Sequence, residues 1–197
     1  FTEVPPALPE LPETPPLPLT GAPHDALSTG LAPHAAPTPR RPVFVFSPQG
    51  AQWIGMGRHL LADAPAFRAS FHRSDRVYAD LTGESLLAAL LADGPADRWR
   101  DVAVVEPLLV ALEIALADQW RAWGVLPDAV VGHSIGEVAA AHIAGALDLA
   151  DTLRVIHHYS AAMARMAGRG GMLAVELAAD DLHELLHEHA GQLVIGG

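Results

Sequence analysis

Residues 127–146 read PDAVVGHSIGEVAAAHIAGA, and no other stretch restricts the possible fold so sharply. Residues 129–131 form a short β-branched apolar run of the kind that makes a buried strand. From 135 to about 146 the small apolar residues follow a helical pattern. Between the two lies Gly132-His133-Ser134-Ile135-Gly136, which fits G-x-S-x-G. In that motif a strand turns sharply into a helix and leaves the serine on a strained corner at the carboxyl edge of a sheet. Glycines two before and two after the serine keep side chains away from the crossing of strand and helix. The N–H that follows the serine opens a helix, where it can stabilise developing negative charge. A serine that merely caps the helix is the competing reading. The strand before it and the helix after it favour a nucleophile, Ser134. His133 is adjacent to it, and neighbouring side chains diverge at such a corner. It is therefore a poor base and reads as a packing or hydrogen-bonding residue, and beside the nucleophile it is also a candidate substrate-binding residue.

The rest of the chain supplies the layers that such a corner needs. Residues 1–42 hold 12 of the 17 prolines and have no periodicity that could bury a face, so they read as an extended interdomain linker. At residue 43 the character changes. VFVF is a continuous apolar run that suits a strand covered on both faces, and it ends in the turn-forming SPQGAQW. Helical patterns follow in GRHLLADAPAFRASFHRSDRVYADLTG, in GESLLAALLADG, and in EPLLVALEIALADQWRAWG, the last expected to start at Pro107. After the corner, DLADTLRVIHHYSAAMARMAG is a further helix. GMLAVEL reads as a strand, ADDLHELLHEHAG as a helix, and QLVIGG as the start of another strand. Strands alternating with helices define an α/β protein with a parallel sheet.

Composition removes several classes of function. The formal charge is −11 and no basic face is present, which excludes a phosphate-binding surface for nucleic acid. With no cysteine, thiolate metal sites and disulfides are excluded from this chain. No apolar run is long enough to span a bilayer, and FTEVPPALPE has neither a basic start nor an apolar core of a signal peptide. A soluble, cytoplasmic protein is expected. HELLH at 183–187 matches the zinc-protease pattern, but its surroundings read as a short amphipathic helix with Leu182, Leu185 and Leu186 inward; no metal site is expected.

GHSIGE, the preceding PLLVALEIALADQWRAWGVLPDAVV and the earlier VFVFSPQGAQWIGMG together resemble the acyltransferase domain of modular polyketide synthases, within the malonyl-CoA:acyl-carrier-protein transacylase family. The resemblance implies an α/β-hydrolase-like core joined to a small ferredoxin-like subdomain. Residues 43–197 would be the N-terminal portion of such a domain, with the small subdomain only begun at the C-terminus. It implies that Ser134 takes an acyl group from coenzyme A as an ester and passes it to the phosphopantetheine thiol of an acyl carrier protein. The backbone N–H groups of Gln49 and Ile135 would form the oxyanion hole. Acyl-CoA and the carrier's phosphopantetheine are then substrates, and no tightly bound cofactor is implied. The partners would be the carrier protein and, through the 1–42 linker, a neighbouring ketosynthase domain; neither nucleic acid nor membrane is implied.

Departures from the family shape the expectations. The usual Gly-Gln-Gly is Pro48-Gln49-Gly50 here, and proline lacks a donor and fixes φ. The arginine by which carboxyacyl-selective members grip malonyl groups aligns with Tyr159, which has neither the charge nor the fork of a guanidinium. Glu106 replaces the usual glutamine before the proline. As substrate-binding candidates, Tyr159 and Glu106 point to an acyl unit without a free carboxylate; the alternative is malonyl specificity kept by another contact. Finally, the family's general-base histidine follows the small subdomain, beyond the last histidine here, His189, so this chain alone is expected to lack it. Two other readings stand beside transfer: a serine esterase or thioesterase, and a catalytically incomplete docking fragment. Glu137 and the PQGAQ turn favour transfer.

Overall fold

The structure is a computed structural model that describes residues 42–50, 52–92, 99–189 and 191–195. Apart from Pro42, the linker assigned to residues 1–42 lies outside them. The chain divides into two compact units at Arg165/Met166.

In the first unit β1 (Val43–Phe46) pairs in parallel with β2 (Ala129–Gly132). The crossover between them holds α1 (Arg58–Asp63), α2 (Pro65–Thr82), α3 (Leu86–Leu91) and α4 (Val102–Ala122). After β2 come α5 (Gly136–Ile143) and α6 (Leu149–Met166). The expected α/β class is the observed one.

Local chemistry sets the helix ends. Ala64 precedes a proline, which disfavours helical backbone, and it adopts φ −116°, ψ 97°. The long helical run read from sequence is therefore cut into α1 and α2. α4 starts not at Pro107 but five residues earlier, because the Asp101 side chain accepts the Ala103 N–H at 3.0 Å and caps the helix there. Pro107 then lies inside the helix, at the cost of one backbone hydrogen bond.

α4 is the centre of the core: Val105, Leu108, Val110, Ala111, Ile114 and Ala115 are each no more than 1% exposed. α2 lays Phe67, Phe71 and Tyr78 against it, the first two fully buried. Each such phenylalanine stabilises the fold by about 1.5–3 kcal/mol through burial. Polar ties fix the packing. Gln119 Oε1 accepts the Phe67 N–H at 3.0 Å, and Asp118 accepts from Ser70 Oγ at 2.7 Å and from Arg73 at 2.9 Å. Arg121 donates to the carbonyl of Ile143 at the end of α5, at 2.8 Å.

The sheet is covered on one face only. Phe46 is buried, whereas Val45 is 71% and Val131 53% exposed. The expectation that β1 is covered on both faces is not met among the described residues.

The second unit carries α7 (Ala179–Leu186) and a single 3₁₀ turn at His187–His189. Residues 171–177, read as a strand, form no ladder among the described residues, and 192–195 contribute one bridge residue, Leu193. A strand needs a hydrogen-bonded neighbour, and an apolar run alone does not supply one.

Candidate active site

The register of the strand pair builds the site. Phe46 stands opposite Gly132, so both chains leave the sheet at the same edge, about 5 Å apart. The His133 N–H donates to the Phe46 carbonyl at 3.1 Å, one residue past β2, and the chain then turns. Ser134 has φ 55°, the only positive value at a non-glycine residue among those described. A left-handed L residue costs about 1–3 kcal/mol, a strain that clusters at functional sites. Gly136 N–H to His133 O at 3.0 Å and Glu137 N–H to Ser134 O at 2.9 Å close the turn into α5. Ser134 and His133 are exposed, while Ile135 is buried.

The motif's glycines act through what they lack. A Cβ at Gly132 would lie 2.4 Å from Cα and N of Glu137. One at Gly136 would lie 2.4 Å from the Phe46 carbonyl oxygen and 2.8 Å from that of Ser47. The first turn of α5 thus sits directly on the end of β1, and the corner packs backbone to backbone.

Opposite the corner is the turn after β1. Ser47 N–H donates to Glu113 Oε1 at 2.8 Å, Pro48 has no N–H, and Gly50 N–H donates to Gln52 Oε1 at 2.8 Å. Gln52 Nε2 in turn donates to the Trp99 carbonyl at 3.2 Å. Among the described residues, neither the Gln49 N–H nor the Ile135 N–H has an acceptor. One unengaged amide therefore follows each strand, and Ile135 opens a helix whose dipole favours an anion. Chemically, the arrangement suits an oxyanion formed on a carbonyl attacked by the Ser134 hydroxyl.

The remaining sequence candidates, Glu106 and Tyr159, lie on α4 and α6. Glu106 on α4 is 3% exposed, its Oε2 has no partner, and burial raises its carboxyl above the ordinary range. Tyr159 on α6 is 44% exposed. No hydrogen bond joins either to Ser134 among the described residues. Histidine rings pair elsewhere: His157 with the Tyr78 hydroxyl at 3.2 Å, His142 with the Leu147 carbonyl at 3.1 Å, His183 with the Ala179 carbonyl at 2.7 Å. His183 lies in α7 and His187 beyond its end, in the 3₁₀ turn. No group of three or more His, Cys, Asp or Glu able to hold a metal occurs among the described residues.

Sequence reading missed Glu113. Its carboxyl is pushed up to about 7 by burial, an effect the Ser47 N–H partly opposes. The only signal was a single acid inside the apolar run VALEIAL. Because the folded value exceeds the ordinary 4.5, the folded state holds the proton more tightly than the unfolded chain. Glu113's share of stability is thus full below about 4.5 and is lost as pH rises through about 7. Burial raises Glu106 in the same direction; it lowers His142, whose share is lost on acidification. Denaturant unfolding of a complete domain from pH 4.5 to 8 should therefore show Glu113→Gln gaining on the unmodified protein, by up to about 3 kcal/mol at the alkaline end. A constant difference across that range would contradict the shift.

The fold and corner define an α/β protein with a serine on a strand-to-helix elbow. Residues 43–196 match the model of the acyl transferase domain family, and the chain belongs to that family. It is 46% identical over 144 residues to a phenolphthiocerol/phthiocerol polyketide synthase of Mycobacterium tuberculosis, covering 73% of this chain and 8% of that protein. Identity to erythronolide synthase EryA2 of Saccharopolyspora erythraea is 41% over 157 residues, 80% of this chain and 4% of that protein. Among solved structures, the acyltransferase domain from module 8 of the salinomycin polyketide synthase superposes with a TM-score of 0.69 at 41% identity. That match covers 76% of this chain and 36% of the other. A loading acyltransferase from the avermectin modular polyketide synthase gives 0.59 at 46%, covering 64% and 40%. The chain therefore spans less than half of each of these relatives. Among the described residues no helix is long and apolar enough to cross a membrane.

Proposed function

We propose that the chain carries the nucleophile-bearing part of an acyltransferase domain of a polyketide synthase. Ser134 attacks the thioester of an acyl-CoA, coenzyme A leaves as the thiol, and the serine ester is passed to the phosphopantetheine thiol of an acyl carrier protein. The Gln49 and Ile135 amides hold the tetrahedral oxygen in both half-reactions. The observation that carries this reading is the strained Ser134 corner beside two unengaged amides, one after each of two paired strands. By resemblance to the family, the base is a histidine that follows the small subdomain, so tests belong in a complete domain. Residues 43–197 are read as part of that domain and 1–42 as the tether to a ketosynthase. Mixing the complete domain with acyl-CoA should give a serine-linked adduct, detected by intact mass, that persists until carrier protein is added. Rapid release of the free acid would instead favour a hydrolase, and no adduct would favour a docking role.

For the acyl unit the proposal is one without a free carboxylate. Tyr159 offers a single neutral hydroxyl where the family's carboxyacyl-selective members have arginine. Glu106 adds no positive charge, because burial favours its neutral form and ionisation would set one negative charge against another. A hydrogen bond to a charged group is worth about 1.5–3 kcal/mol, less than the several kcal/mol needed to desolvate a buried carboxylate. The unmodified domain should accordingly prefer propionyl-CoA over malonyl-CoA in direct competition, and Tyr159→Arg should move the ratio towards malonyl by roughly 10-fold or more. A clear malonyl preference that Tyr159→Arg leaves unchanged would refute this part and leave Ser134 untouched.

A further inference from the structure

The residues around α4 and the turn after β1 contain an arrangement that the proposed reaction does not yet use. Glu113 sits in an otherwise apolar segment, between Leu112 and Ile114, both nearly fully buried. Its Oε2 is buried without a partner, and its Oε1 makes one hydrogen bond, to the Ser47 N–H across 66 residues of sequence. An apolar side chain would suit this position better if packing were the only demand, because an incompletely satisfied buried carboxyl costs stability.

The hydrogen bond falls at a particular place. Ser47 is the first residue beyond β1 and Gln49 is two residues on, separated from it by Pro48, which has no N–H and a fixed φ. On the far side the Gly50 N–H is held by Gln52, itself tied to Trp99. The turn is thus clamped on both sides of Gln49, with the Gln49 amide left unengaged. The departure Pro48 contributes to this pattern by removing the one other amide that could compete. α4 also holds the far end of α5 through Arg121. One rigid helix therefore braces both halves of the corner.

We propose that Glu113 is a positioning residue that fixes the Ser47–Gly50 turn and so aims the Gln49 N–H at the oxygen that becomes negative. The inference rests on Ser134 and Gln49 having the roles given under Proposed function. Glu113 touches neither substrate nor reacting atom and acts through the backbone of Ser47. Loss of its acceptor leaves a loose amide, which stabilises the transition state less than a fixed one; complete loss of an oxyanion donor costs about 10²–10³ in rate.

The test compares Glu113→Leu, Glu113→Gln and Ser134→Ala in a complete acyltransferase domain. Single-turnover acylation is followed with propionyl-CoA and, separately, malonyl-CoA, and the melting temperature is measured alongside. Glu113→Leu should lower the maximal acylation rate roughly 10- to 100-fold, with the half-saturating concentration little changed and the melting temperature not lowered. Glu113→Gln keeps an acceptor oxygen and should stay close to the unmodified rate. A Glu113→Leu domain that acylates at full speed overturns the proposal, as does a Glu113→Gln domain as slow as the leucine variant. Should the leucine variant not fold, Glu113→Met, close in volume to glutamine, is judged by the same criteria. Ser134→Ala separates the two levels: persistent acylation in that variant sinks the nucleophile assignment, whereas a dead Ser134→Ala beside a fast Glu113→Leu sinks only the positioning role.

Discussion

In a complete acyltransferase domain that includes this chain, Ser134→Ala is expected to eliminate the acyl-enzyme and to cut transfer to the carrier protein by at least three orders of magnitude. The expectation follows from the division of labour at the corner. Ping-pong transfer passes through a covalent ester, and without the hydroxyl oxygen no ester can form. What survives is direct attack by the carrier thiol, helped only by substrate binding and by the Gln49 and Ile135 amides, a residue of catalysis far below the full reaction. Alanine removes a single oxygen from an exposed side chain, so packing beneath the corner is not disturbed. Alanine is also no better than serine at φ 55°, so the melting temperature should shift by little. The loss should therefore fall on the chemical step, with acyl-CoA binding intact. Intact-mass measurement after mixing with acyl-CoA reads the adduct directly. An adduct of unchanged yield in Ser134→Ala would transfer the nucleophile's role to another residue. A collapse of folding in the variant would give the serine a structural task instead.

Much of this corner was legible before any coordinates, because its signals are local. A three-residue apolar run, a glycine two residues either side of a serine, and a helical pattern behind it all lie within one window of the sequence. The same holds for β1 and for the helices that enclose the core. Local signals were also enough to misplace boundaries. Pro107 resembles a first-turn proline, but the cap at Asp101 outweighs it and extends α4 backwards by about one and a half turns. Residues 171–177 have strand composition, but strands are completed by partners that composition does not name. Exposure of Val45 and Val131 has the same origin, since an apolar run states what a strand can bury and not what lies on it. Glu113 was illegible for a further reason. One acid in an apolar helix reads as a solvated residue, and its meaning comes from Ser47, which only the folded chain brings to it. Tyr159 and Glu106 were found by comparison with a family pattern, and that pattern gives a position without giving surroundings.

Gly136→Ala should be a severely damaging one-carbon change. At Gly136 the added Cβ would sit 2.4 Å from the Phe46 carbonyl oxygen, 2.6 Å from its carbon and 2.8 Å from the Ser47 oxygen. These are backbone atoms of a strand end, and no rotamer change can move them aside. Relief must come from prising α5 off β1. That movement would stretch the His133 N–H···O Phe46 hydrogen bond and displace Ile135, a buried residue, from its seat. Helix propensity pulls the other way: alanine is favoured over glycine by about 1 kcal/mol inside a helix. Overpacking a well-filled site costs about 1–3 kcal/mol, and more where the neighbour is rigid. The net expectation is a destabilisation of at least about 1–2 kcal/mol, despite the better helix former. Activity should suffer more than stability. The same displacement that relieves the clash moves the Ile135 amide away from the Gln49 turn, and a shift of about 1 Å in positioned groups can cost about 10²-fold in rate. Acylation by Gly136→Ala in a complete domain should thus fall roughly 100-fold or more under conditions in which denaturant titration shows the protein still folded. Gly145→Ala, just past α5, is the control: Gly145 has φ 80°, so alanine there also strains the backbone, but at a distance from the corner. It should lose stability without a comparable loss of acylation. If both variants lose rate and stability in the same proportion, the close approach at Gly136 serves folding alone, and the geometry of the corner does not depend on it.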